Sequence, residues 1–264
     1  MGKSMWSVLG GLLSAASAPK GGRLERRTAR AGGAEYVYQI HVPADLKESP
    51  PVLVFLHGIN QRGAGGYVPD SGAAGAVVRG YLGRVPAVVL LPQCRAGSYW
   101  TDPFMDEMVM DALARTASEF EADASRLYLT GVSMGGYGVW HLASRHPNTF
   151  AALVAVCGGS PLREGDRFKP VAEKVGRTPA WIFHGAEDRV VSVSESRRMA
   201  AALEEVGGDF RYSEYEGVGH DVWTRVLTER GLMKWLLAQR LKADSESASS
   251  SSSSAPKADS SAAG

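Results

Sequence analysis

Short apolar runs alternate with longer stretches of helical periodicity through the middle of the chain. The runs are Val52 to Leu56, Ala87 to Leu91, Leu127 to Thr130, Ala152 to Cys157, Ala180 to Phe183 and Phe210 to Tyr215. Their length and flanking residues predict strands, and Tyr36 to Pro43 adds a strand of alternating character. Asp106 to Glu121, Met134 to Arg145, Ser194 to Val206 and Trp223 to Arg240 predict helices. Strands alternating with helices predict an α/β domain: a mostly parallel central sheet with helices on both faces. Ligands of such sheets bind beyond the carboxyl ends of the strands, so chemistry is expected in the residues that follow each strand. No internal repeat is apparent.

The most informative of these junctions is Gly131-Val132-Ser133-Met134-Gly135, which follows an apolar strand and opens a helix. It matches G-x-S-x-G, a sharp strand-to-helix turn that lifts a serine out of the sheet edge. The bare pattern is common in a chain with 31 glycines, and the strand–turn–helix setting gives it weight. A side chain at position 131 or 135 is expected to collide with the neighbouring strand or helix.

A serine hydroxyl is a poor nucleophile alone. It needs a histidine base, and the base needs a carboxylate to hold its tautomer and its charge. On such a sheet the chain order is Ser, then Asp or Glu, then His. The strand ending at Phe183 is followed by His184-Gly-Ala-Glu-Asp188, and the strand ending at Tyr215 by Glu216-Gly-Val-Gly-His220-Asp221. Ser133, Asp188 and His220 are therefore the catalytic candidates, with Glu187 and Asp221 as rivals for the carboxylate. His41, His141 and His146 read as hairpin, packing or surface residues. His57 and His184, each before a glycine at a strand end, read as braces for the loops. For an oxyanion, the NH of Met134 and the NH of Ile59, in the Gly-rich loop after Leu56, are the candidate donors. That loop fits neither a dinucleotide fingerprint nor a P-loop.

Composition adds limits. In all, 264 residues with 44% hydrophobic content fit one domain, placed at residues 23–242. A net charge of +1 gives no reason to expect nucleic acid or an anionic membrane as partner. The cluster Arg23, Arg26, Arg27 and Arg30 reads as the solvated face of a hairpin. Cys94 and Cys157 read as buried thiols, and no metal-ligand spacing is present, so neither metal nor cofactor is expected. Residues 1–22 hold an apolar stretch and an Ala16-Ser17-Ala18 cleavage-like site, short and broken by Gly10 and Gly11. This segment is either a signal peptide, which implies export, or a disordered start to a cytoplasmic protein, the placement adopted here. No run approaches the length of a membrane span. Residues 243–264 are Ser/Ala-rich and read as a disordered tail.

Taken together, His57-Gly58, Leu129-Thr-Gly-Val-Ser-Met-Gly-Gly-Tyr-Gly138, Phe183-His-Gly-Ala-Glu-Asp188 and Tyr215-Glu-Gly-Val-Gly-His220 resemble the serine α/β-hydrolases. The resemblance is to the phospholipase/carboxylesterase and "predicted peptidase" branch, akin to feruloyl and acetylxylan esterases and to dienelactone hydrolase. It implies an α/β-hydrolase fold, triad roles for Ser133, Asp188 and His220, and an oxyanion hole at Ile59 and Met134. Pro92-Gln93-Cys94 and Tyr99-Trp100-Thr101-Asp102 are similar to a loop bordering the cleft in such enzymes, which implies that Trp100 contacts substrate. Dienelactone hydrolase has a cysteine where Ser133 stands, and lactone opening is correspondingly disfavoured. Lipase-like relatives insert a lid after the sixth strand, whereas Gly158 to Thr178 is a short polar stretch, so no large lid is expected. The reading is a serine carboxylic-ester hydrolase for small short-acyl or aryl esters. The alternatives are a thioesterase, acyltransferase or peptidase with the same triad, and a non-catalytic binding protein on the same fold.

Overall fold

The computed structural model describes residues 21–66 and 82–241, and the readings of the N-terminal segment and of the Ser/Ala-rich tail lie outside these residues. Eight strands form one sheet: β1 (Arg23–Ala31), β2 (Ala34–Val42), β3 (Val52–Leu56), β4 (Val88–Pro92), β5 (Leu127–Val132), β6 (Ala152–Val156), β7 (Ala180–Gly185) and β8 (Phe210–Tyr215). Their spatial order is β1-β2-β4-β3-β5-β6-β7-β8. The β1–β2 and β2–β4 pairs are antiparallel, and every later pair is parallel. Six helices are described: α1 (Pro103–Glu119), α2 (Met134–Arg145), α3 (Lys169–Val175), α4 (Ser194–Glu205), α5 (Trp223–Val226) and α6 (Leu232–Ala238).

The inner parallel strands β3 to β7 are largely apolar because both faces are covered, whereas the edge strand β8 carries Arg211, Ser213 and Glu214 and is only partly buried. Successive residues point to opposite faces, and the core divides accordingly. Val52, Val54 and Leu56 of β3, Leu153 and Ala155 of β6, and Ala180 and Ile182 of β7 pack with α1 to α4. Leu53, Val154, Val156, Trp181 and Phe183 pack on the other side, against Val222, Val226, Leu232 and Leu236 around α5 and α6. The arginine-rich β1 forms one edge of the sheet, where Arg27 pairs with Glu25 and Glu119. Charges on an edge strand discourage pairing with a further chain.

Two elements differ from the sequence reading. The helix expected over Trp223 to Arg240 is broken into α5 and α6, because Gly231 adopts φ 84° and caps the second helix in a left-handed conformation. The stretch from Gly158 to Thr178, read as short and polar, contains α3. Val171, Ala172 and Val175 of α3 are buried, and it packs against α2 and α4 in the helical layer rather than forming a lid.

The tightest junction joins β5, α2 and β3. A Cβ on Gly131 would lie 2.3 Å from the Gly135 carbonyl oxygen, and one on Gly135 would lie 2.0 Å from that of Leu56. Both obstacles are backbone, with no side chain to swing aside. Gly135→Ala is expected to lower the unfolding free energy by about 3 kcal/mol or more, measured by urea denaturation, or to leave the protein insoluble. A change below about 1 kcal/mol would show that the junction is looser than the structure describes.

Candidate active site

Three post-strand loops converge at the carboxyl edge of the sheet. Ser133 ends the turn between β5 and α2 at φ 57°, ψ −117°, a conformation that L-residues rarely adopt. It is held there by its own NH, which donates to the Val156 carbonyl at 2.9 Å, and by its carbonyl, which accepts from Gly136 and Tyr137 at 2.8 and 3.3 Å. The loops after β7 and β8 are tied together by Ala186 NH to Tyr215 O at 2.9 Å and Glu187 NH to Val218 O at 3.0 Å. These bonds place Asp188 beneath His220.

The result is a continuous chain of hydrogen bonds. His220 Nε2 lies 2.9 Å from Ser133 Oγ, and His220 Nδ1 lies 2.7 Å from Asp188 Oδ2. A carboxylate only accepts, so Nδ1 carries the hydrogen and Nε2 is free to accept from the serine. The second oxygen of Asp188 accepts from the NH groups of Val190 and Val191 at 2.8 and 2.9 Å. Burial alone would raise the carboxyl pKa, but the His220 hydrogen bond and those two NH donors outweigh it and leave the pKa below its ordinary value. Glu187 and Asp221, the rival carboxylates, are exposed, and Asp188 is the one paired with the ring.

A second histidine completes this chain. His184 is fully buried, and its Nε2 lies 3.2 Å from Asp188 Oδ2 and 3.0 Å from Val191 O. Nε2 is therefore the donor, and Nδ1 accepts from Ser196 Oγ at 2.7 Å. Burial lowers the His184 pKa, more than the Val191 carbonyl and Asp188 raise it. A strand-end histidine before glycine was the available signal for a loop brace; its contact with Asp188 was not visible in the sequence.

Ile59 opens the 3₁₀ turn Ile59–Gln61 after β3, and Met134 opens α2. NH groups at the start of a helical turn have no acceptor within it, and those of an α-helix favour negative charge. The two turns are neighbours: a Cβ on Gly58 would lie 3.7 Å from Ser133 Cβ. His57 holds the Ile59 loop. Its Nδ1 donates to Gly58 O at 2.7 Å and its Nε2 accepts from Cys94 NH at 3.1 Å.

Trp100 occupies a different place from the one its motif implied. It is 1% exposed, donates Nε1 to His57 O at 2.9 Å and packs edge-on against the His57 ring. It braces the loop from below, and the exposed aromatic residue in this segment is Tyr99, with the Arg62 guanidinium over its ring. His141 and His146 lie away from this cluster, sharing Asp106 at 3.0 and 2.6 Å. Cys94 and Cys157 are free buried thiols, and burial pushes each up to about 12.

Residues 103–230 match the family model described as phospholipase/carboxylesterase. With that match on an eight-stranded, mostly parallel sheet, the fold is decided. The chain has the α/β-hydrolase fold. The chain is 30% identical to a thermostable esterase of known structure, with a TM-score of 0.68 over 84% of this chain and 64% of that one. It is 24% identical over 177 residues to a bifunctional acetylxylan esterase/xylanase of Neocallimastix patriciarum, and 26% identical over 132 residues to acetylxylan esterase A of Emericella nidulans. These alignments cover 63% and 46% of this chain, but only 23% and 41% of the relatives. Among its described residues no helix is long and apolar enough to cross a membrane.

The bonding of His57 sets a pH dependence. Both ring nitrogens are satisfied only in the neutral form, since a second N–H would face the NH of Cys94. Burial, with the Arg62 charge, outweighs the Gly58 carbonyl and takes the pKa from 6.5 down to about 4. Between those values the unfolded chain binds the proton and the folded one does not, so stability falls as pH drops through this window. The loss reaches about 3 kcal/mol by pH ~4. An NMR titration of the histidine Cε1 carbons should find His57 neutral at pH ~5; protonation near pH ~6.5 would contradict this account.

Proposed function

We propose that the protein is a serine carboxylic-ester hydrolase acting through Ser133, His220 and Asp188. The reading rests on one observation above all: the unbroken chain from Asp188 Oδ2 through both ring nitrogens of His220 to Ser133 Oγ, at 2.7 and 2.9 Å. The esterase relatives support the ester as the bond attacked.

In this mechanism Ser133 Oγ attacks the ester carbonyl carbon while His220 Nε2 takes the hydroxyl proton. The carbonyl π pair moves to oxygen, and the oxyanion lies against the NH groups of Ile59 and Met134, which need no reorganisation to receive it. His220 returns the proton to the leaving alkoxide as the ester C–O bond breaks, giving the alcohol and an acyl-Ser133. Water then repeats the sequence: His220 takes its proton, and the acid leaves as Ser133 Oγ is reprotonated. Asp188, an ionised acceptor with its other oxygen tied to two NH groups, stabilises the imidazolium at each stage without taking its proton. Because α3 packs in the helical layer and no large lid lies over the site among the described residues, we propose soluble short-acyl or aryl esters as substrates. The protein needs no cofactor for this chemistry.

Ser133→Ala is expected to lower the rate of p-nitrophenyl acetate hydrolysis by about a millionfold while leaving the unfolding free energy, measured in urea, within about 1 kcal/mol of the parent. Retention of more than about a tenth of the activity would remove Ser133 from the mechanism. Asp188→Asn keeps the shape but offers Nδ1 a different partner, and should lower kcat by about four orders of magnitude at nearly constant KM. The rival variants Glu187→Gln and Asp221→Asn should each change kcat by less than about tenfold. Steady-state kinetics on the three proteins would reverse the carboxylate assignment if one of the rivals proved the crippled variant.

A further inference from the structure

Cys157 follows β6 and lies directly behind the proposed triad. Its Sγ, a carboxylate oxygen of Asp188 and a ring nitrogen of His220 fall within 4.8 Å of one another. The thiol is completely buried and lies 3.7 Å from the His220 carbonyl oxygen, so it packs against the loop that carries the ring. No step of the mechanism uses it. Thiolate, imidazole and carboxylate are the donor types that together suit zinc and its heavier congener cadmium.

We propose that Cys157, Asp188 and His220 form an inhibitory site for a soft divalent cation, zinc or cadmium. The ring nitrogen on the Asp188 side is Nδ1, so the cation enters between Nδ1 and Oδ2, with Sγ as third ligand and a water molecule as fourth. Metal–ligand bonds of about 2.0 to 2.3 Å require donor atoms roughly 3.3 to 3.7 Å apart. The Nδ1–Oδ2 pair therefore opens by somewhat less than 1 Å from its present 2.7 Å.

The proton balance explains the inhibition. Binding converts Cys157 S–H to a thiolate with one proton released to water, while Nδ1 surrenders its hydrogen to the metal bond and Nε2 takes up one in its place. The ring stays neutral overall, with its tautomer inverted. Nε2 then presents N–H to Ser133 Oγ and has no lone pair with which to accept the serine proton. The cation sits on the far side of the imidazole from the serine, so substrate binding survives and turnover is lost. Asp188 and Cys157 have no exposed side chain, and His220 is 19% exposed. Access therefore requires the His220 loop to open, and inhibition develops slowly.

The inhibitory consequence rests on His220 being the base, whereas binding does not, and the two are measured separately. Cadmium is titrated into metal-free Ser133→Ala protein, which retains all three ligands, and the ultraviolet charge-transfer band of cadmium–thiolate is followed. The band should appear at one equivalent and be absent in Cys157→Ser and in the double variant Ser133→Ala/Cys157→Ser. In parallel, zinc is added to the parent protein and to Cys157→Ser during p-nitrophenyl acetate hydrolysis, each compared with its own metal-free rate. The parent should lose kcat at constant KM, recover with chelator, and require about 100-fold less zinc for half-inhibition than Cys157→Ser. A band with unchanged kcat would keep the site and overturn the role of His220 as base. Equal inhibition of parent and Cys157→Ser, or no band in a folded Ser133→Ala protein, would overturn the site itself.

Discussion

The backbone of Ser133, held at φ 57°, is the constraint on which the rest of the structure depends. A residue in such a region carries about 1 to 3 kcal/mol of strain and persists only where its surroundings over-determine it. Here they do so from three directions. The Ser133 NH is bonded to β6, its carbonyl is bonded to the first turn of α2, and the glycines on either side let α2 approach β5 and β3 to distances that a Cβ forbids. The same turn sets the Ser133 hydroxyl 2.9 Å from His220 Nε2.

The remaining site is built by satisfying buried polar groups. Asp188 has one oxygen shared by two histidines and the other bonded to two backbone NH groups, so a buried carboxylate stays ionised against the His220 ring. His184 passes this satisfaction on to Ser196, within α4. On the opposite side His57 links the Ile59 loop to Cys94, and Trp100 bonds to the His57 carbonyl. Two neutral, buried histidines thus flank the one histidine that faces the cleft.

Cys157 shows how a second property can arise from the same packing. The residue after β6 must lie close to Ser133, since the two strands are neighbours in register from Tyr128 to Val132. A thiol at that position is inert while buried and protonated, yet it brings a third donor to the back of a carboxylate–imidazole pair.

Much of the molecule was legible along the chain. Apolar runs and helical periods are local properties, and they located the six later strands and α2 closely. The turn chemistry of Gly131 to Gly135 announced Ser133, and the rule that chemistry follows strands pointed to Asp188 and His220. What the chain could not express was adjacency between loops. His220 meets Asp188 across 32 residues and Ser133 across 87, and those distances are set by the strand order and register of the sheet. Only that arrangement separates Asp188 from Glu187 and Asp221, turns Trp100 inward beneath the Ile59 loop, joins His184 to Asp188, and gathers Cys157 into a cluster without any metal-ligand spacing in the sequence. Periodicity encodes which face of an element is apolar, whereas a side chain's partner depends on which elements the closed core brings side by side.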